Sequence, residues 1–146
     1  MDPVSLASAA ALVAGTVTRS ADWLDRLAVL DDSRSAAFVR ADPSLLGDVY
    51  ASGGRLLESD TAAIRRYAAR GLEVEDVRFE VLRFHVVRES DRVAVLRVVD
   101  RLEPVRVRSA GGAWRALPSD GPTDRMITVV RTAAGWRIST VERLAG

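Results

Sequence analysis

The sequence predicts an α+β domain, with helices in its first half packed on a curved antiparallel meander in its second. Three observations predict it. Up to Gly71 the apolar residues recur at helical spacing. From Val74 onward the period changes to two. Short turns join the later runs, which pairs neighbouring strands antiparallel and leaves one sheet face for the helices to cover.

The elements follow in chain order. "VSLASAAALVAGTV", Val4 to Val17, is an apolar run shorter than the ~20 residues that span a bilayer. Asp2 precedes it, where a signal peptide would carry a basic residue. It reads as a helix packing on the domain or on a second copy, as the remnant of a membrane anchor or signal, or as a disordered leader. Residues 1–21 are therefore set apart as an extension, and 22–146 are taken as a single domain. The compartment stays open: cytoplasmic as the chain stands, extracytoplasmic and at a membrane if an anchor has been removed.

A helix is expected over 22–41, where Trp23, Leu27, Leu30, Ala37, Phe38 and Ala41 form one apolar stripe that Arg34 interrupts. Asp42 can cap and Pro43 can start a short second helix with Leu46, Val49 and Tyr50 inward. After "SGG", Ser59 or Asp60 caps a third helix with Ile64, Tyr67 and Ala68 on one face, and Gly71 supplies a left-handed stop. In the strand "VRFEVLRFHVVRE", Phe79, Val81, Arg83, His85 and Val87 point one way; Arg78, Glu80, Leu82, Phe84 and Val86 point the other. In the next strand Ala94, Leu96, Val98, Asp100 and Leu102 share a face, and Pro104 implies a bend. A loop over 109–124 carries Trp114, and a hairpin, Arg125–Arg131 with Trp136–Arg143, ends the chain. Twist and the bend curl the sheet around the helices and leave a cone with an open end.

Composition limits the chemistry. Of 146 residues 48% are hydrophobic, enough for one buried core. All 21 basic residues are Arg, there is no Lys, Asn or Gln, and the formal net charge is +1. Clustered positive charge, the footprint of a nucleic-acid binder, is missing. The absence of Cys excludes disulfides and thiol nucleophiles, and a single His argues against a zinc site. No phosphate-cradling glycine loop, nucleophile elbow or metal spacing occurs, so no cofactor and no metal is expected.

Three features carry a resemblance to a known family: the stretch "LDRLAVLDDSRSAAFVRADPSLLGDVYASGG", the order of three helices and then a meander, and the closing "ITVVRTAAGWRISTVE". Together they resemble the NTF2-like superfamily, the cone-shaped fold shared by ketosteroid isomerases, scytalone dehydratase and SnoaL-type cyclases. The resemblance covers about residues 22 to 143. More narrowly the chain is similar to actinobacterial proteins of this fold, with which the Arg-only composition agrees. It implies that any catalysis is acid–base chemistry by Asp, His or Tyr inside the cone. Epoxide hydrolases of the superfamily use Asp-Arg-Asp there, and in this chain no second inward Asp is evident.

The candidate groups are few. His85 can titrate near neutral pH and act as a base, but its strand position also suits an outer face. Arg34 and Asp100 each interrupt an apolar face, and a buried charge needs a partner. The simplest expectation is that the two pair with one another, as a latch from helix to sheet or as a catalytic or ligand-anchoring couple. Tyr50 and Tyr67 can line the cone, and Trp114 can cap its mouth.

The reading favoured by these residues is a non-catalytic NTF2-like domain that binds a protein partner or a small apolar ligand, as a homodimer through its sheet. Its motive is the mixed face that carries Phe79, Val81 and Val87 beside Arg83 and His85. One alternative is an acid–base isomerase, dehydratase or hydrolase using Asp100, Arg34, Tyr50 or His85. The other is an accessory domain of a membrane-tethered envelope protein.

Overall fold

A computed structural model describes the backbone of residues 3–145 and the side chains of residues 19–145. The first helix, α1 (Pro3–Val39), has 37 residues and runs unbroken through residue 21, a length of about 55 Å. The expected packing of the 4–17 run lies outside the described side chains. Among the described residues no helix is long and apolar enough to cross a membrane.

The stripe on α1 is buried as its spacing requires: Trp23, Leu30, Ala37 and Phe38 are all in the core. Ala41 is a correction. The helix stops at Val39, and Ala41 sits at φ 52, an exposed left-handed turn residue rather than a stripe position. Asp42 then caps as expected, accepting from the Ser44 N–H at 3.0 Å. The helix it caps is a tight 3-10 segment, Pro43–Asp48.

Helix α2 (Arg55–Ala69) has Gly54 in the cap position, five residues before Ser59 and six before Asp60, the caps expected from sequence. The earlier start moves Asp60 inside the helix, one turn before buried Ile64 and on the same face. Gly71 makes the left-handed stop at φ 64.

Among the described residues seven strands follow: β1 (Leu72–Val74), β2 (Phe79–Glu89), β3 (Val93–Leu102), β4 (Arg106–Ser109), β5 (Arg115–Ala116), β6 (Thr123–Thr132) and β7 (Gly135–Arg143). All pair antiparallel, in a four-stranded sheet of order β2-β3-β6-β7 and a three-stranded sheet of order β1-β4-β5. The long strands divide where Pro104 predicts a bend: β3 ends at Leu102 and β4 begins at Arg106. Opposite it, residues 75–78 separate β1 from β2, and Glu103 N–H to Arg78 O (2.8 Å) with Glu75 N–H to Arg106 O (3.0 Å) hold the two bends together. The result is helices followed by curved antiparallel sheets, not closed into a barrel. A Tyr50–Ile138 bridge ties the end of the 3-10 segment to β7.

Two apolar clusters fill the interior. One gathers Phe38, Leu46, Val49, Ile64 and Val107 between the helices and the smaller sheet. The other gathers Trp23, Leu30, Leu96, Val98 and Ile127 between α1 and the larger sheet.

The faces of β2 differ from strict alternation. Its register with β3 shifts between Val81 and Arg83 and again between Val86 and Arg88. Each bulge adds a residue that has no opposite number and turns the following side chains over. Val81 lies opposite inward Asp100, and then Phe84 and Val86 lie opposite inward Val98 and Leu96. His85 falls opposite Arg97 and is exposed. The single face expected to hold Phe79, Val81, Arg83, His85 and Val87 does not exist. Phe79 and Val81 face the interior cavity, while Arg83 and His85 face outward.

Candidate functional site

The cone is open. A cavity of about 310 Å³ lies between α1, Val49 and Tyr50 just after the 3-10 segment, α2 and the larger sheet. Its walls are mainly aliphatic, with Leu27, Leu56, Val98, Ile127 and Ile138 among them, and Phe79 adds an aromatic surface. Polar groups enter from four elements, and each arrives by local periodicity. Arg34 lies one turn beyond Leu30 on α1, Asp60 one turn before Ile64 on α2, and Asp100 two residues beyond Val98 on β3. Arg125 lies two residues before Ile127 on β6.

Two guanidinium–carboxylate pairs result. Arg34 donates through Nε to Asp60 Oδ2 at 2.7 Å and through Nη2 to Asp60 Oδ1 at 3.0 Å. Arg125 donates through Nε to Asp100 Oδ1 at 3.1 Å and through Nη2 to Oδ2, and the Thr123 hydroxyl adds a bond to Oδ1 at 3.4 Å. Such two-point contacts fix orientation as well as charge. The expected Arg34–Asp100 pair is therefore corrected: each found a different partner. Asp60 comes within reach of Arg34 because α2 starts early, and Arg125 lies on the strand next to Asp100, diagonal to it on the same face. The ring of Phe79 links the pairs, with the Arg34 guanidinium 5.6 Å and the Arg125 guanidinium 4.6 Å from its centroid.

Arg34 and Asp100 form no helix-to-sheet latch; a tie from α1 to the bend between β1 and β2 comes from Ser35 instead. Its buried hydroxyl accepts from the Val77 N–H at 3.1 Å and donates to Asp76 at 3.3 Å.

Tyr50 lines the cavity and donates its hydroxyl to Asp60 Oδ2 at 2.7 Å. Burial raises its pKa far above the usual tyrosine range, against the field of Arg34 and with that of Asp60. Burial also works against the Arg34 charge, but the hydrogen bonds and field of Asp60 outweigh it and hold the guanidinium protonated above its ordinary range. Asp31 reaches the cavity from α1 with one long contact, from the Phe79 N–H at 3.4 Å. Burial raises its pKa, and the Phe79 contact and the fields of Arg34 and Arg78 oppose the rise.

Of the residues singled out from sequence, Arg34, Tyr50 and Asp100 meet in this cavity. His85 does not, being on the outer face of the sheet. Tyr67 packs edge-on against Phe38 in the first core cluster, with centroids 6.4 Å apart. Trp114 lies under the Arg108 guanidinium, 4.5 Å away. Neither lines the cavity. Sequence reasoning missed Asp31, Asp60 and Arg125, although each stands at helical or strand spacing from a core residue. Among the described residues no three acidic or histidine side chains are grouped to hold a metal ion.

No protein-family model and no curated protein sequence matches the chain. Solved structures do. The intermembrane space region of the chloroplast protein ARC6 superposes with a TM-score of 0.58 at 17% identity, covering 87% of this chain and 97% of that one. Aln2 from a Streptomyces species gives 0.53 at 20% identity, over 84% and 90% of the two chains. A protein of the NTF2-like family from Streptomyces avermitilis gives 0.50 at 11% identity, over 87% and 99%. These likenesses span nearly the whole of each neighbour and agree with the helices, the bends and the open cone described above: the chain has the NTF2-like fold.

Proposed function

We propose that this domain binds a small, mostly apolar molecule inside its cone. The observation that carries the reading is the open cavity of about 310 Å³, aliphatic over most of its wall and crossed by two fixed ion pairs. Concave apolar sites with a few oriented polar groups are the usual form of small-molecule pockets. Amide-shift mapping with 2-naphthylmethanol tests it. Shifts concentrated on Leu56, Val98 and Ile127, and abolished by filling the cavity with Ala28→Trp, support the reading. No shifts at millimolar ligand overturn it.

Acid–base catalysis in the same cavity is the second reading. It is favoured by the convergence of Tyr50, Asp60, Asp100 and Asp31, carboxyl and phenol groups in differing environments. Turnover of a bound compound that is lost in Asp31→Asn or Tyr50→Phe would support it.

The homodimer would use the outer face of the sheet, where the bulge residues Leu82 and Val87 remain exposed beside half-buried Val95 and Val99. Light scattering that finds only monomer at micromolar concentration removes it. A place at a membrane draws support from the likeness to a region of the intermembrane space and from α1 continuing through the apolar run. The gene upstream of Met1 decides that point, by encoding or lacking an apolar segment of about 20 residues with basic flanks.

A further inference from the structure

We propose that the cavity selects a positively charged guest, a small apolar amine whose ammonium group pairs with Asp31. The inference rests on the cavity being a binding site, as proposed above. It comes from the charges in the lining. Five carboxylates, of Asp31, Asp32, Asp60, Asp100 and Glu103, face three guanidiniums, of Arg34, Arg78 and Arg125. Every guanidinium is engaged: Arg34 with Asp60, Arg125 with Asp100, and Arg78 with Asp32 and, at 3.6 Å, Asp76. Among the described residues Asp31 and Glu103 are left without one.

The two differ in surroundings. Glu103 is exposed at the bend after β3 and keeps its water. Asp31 is largely withdrawn from solvent, with the single long contact from the Phe79 N–H. The charged groups facing it are Asp32 and Arg34 on its own helix and Arg78 from the segment before β2. The two arginines touch it only through their fields, because their hydrogen bonds go to other carboxylates. A carboxylate held partly out of water without a partner is costly, and an entering cation offsets that cost.

Other guests fit less well. An anion meets surplus negative charge. The one buried guanidinium nitrogen without a partner among the described residues, Arg34 Nη1, is sealed from solvent and so cannot greet it on entry. A bare metal ion lacks a set of three acidic or histidine side chains among the described residues. An ammonium on an apolar body satisfies Asp31 with one end and the aliphatic walls with the other.

The test is calorimetry on the full chain at neutral pH with three probes of one shape: 2-naphthylmethylamine, 2-naphthylmethanol and 2-naphthoate. The amine is expected to bind ~10-fold or more tighter than the alcohol, and naphthoate weakest. In Asp31→Asn the amine and the alcohol should come within about threefold of each other, with the alcohol unchanged. In Glu103→Gln most of the amine's advantage should remain. An alcohol or naphthoate that binds as well as the amine, or an advantage that survives Asp31→Asn, overturns this inference and leaves the cavity reading standing. Binding of none of the three overturns the cavity reading, and this inference with it.

Discussion

The Tyr50 hydroxyl donates to Asp60 Oδ2 at 2.7 Å. Arg34 Nε reaches the same oxygen, so one carboxylate holds a phenol from the end of the 3-10 segment and a guanidinium from α1. Tyr50→Phe removes one donor and leaves the other. It should cost about 1 kcal/mol, the net worth of a partly buried hydrogen bond, measured by urea unfolding.

Tyr50 also carries a pH signature. Its folded pKa lies above the unfolded value of 10.0, so its stabilisation is fully present below that value and fades as the pH rises past it toward the folded pKa. Between about pH 9 and 11.5 the native protein should lose stability more steeply than Tyr50→Phe. Parallel curves for the two would refute the assignment.

Breaking the Arg34–Asp60 pair from one side should be worse than removing it. Asp60→Ala strands a guanidinium with only 18% side-chain exposure and should cost about 2–4 kcal/mol, the lower part of the range for buried pairs because neither group is fully dry. Arg34→Met with Asp60→Leu should recover most of that loss. A double variant as unstable as Asp60→Ala would show that the pair contributes more than it costs to bury.

Asp31 has the opposite sign. Its folded pKa is raised above 3.8 by burial, so the protonated form favours folding: that contribution is complete below 3.8 and disappears as the pH rises through the folded value. Its ionised form is therefore a burden at neutral pH. Asp31→Asn should raise the melting temperature by a few degrees at about pH 7 and by nothing near pH 3. Calorimetry at the two pH values checks both signs.

Ser35→Ala leaves the buried Val77 N–H without an acceptor. The expected loss is about 1–3 kcal/mol, and hydrogen exchange at Val77 should accelerate more than at core amides of β3.

The helices, the switch to period two, the bend at Pro104 and the final hairpin are legible because each is written in local spacing or turn chemistry. Arg34, Tyr50 and Asp100 are legible for the same reason: a polar residue on an apolar stripe stands out. What sequence could not convey was pairing. Arg34 and Asp100 each needed a countercharge, but which one depends on where α2 begins and how β6 registers on β3, and both are tertiary choices. Asp60 looked like a cap because Asp is a good one, while Gly54 holds that place. The face of β2 was misread because a bulge residue such as Leu82 carries no mark of its own: alternation counted from Phe79 runs correctly to Val81, is inverted from Arg83 to Val86, and is turned back by the second bulge at Val87.

Trp23 and Trp136 meet edge to face with centroids 4.8 Å apart, joining the long first helix to the last strand. Two indoles this close share their electronic excitation, so the protein carries its own optical gauge of whether α1 and β7 are docked. Circular dichroism in the indole bands would follow that contact separately from the rest of the fold, with no label attached. A guest that spreads the cone would dim the coupled signal before any secondary structure is lost.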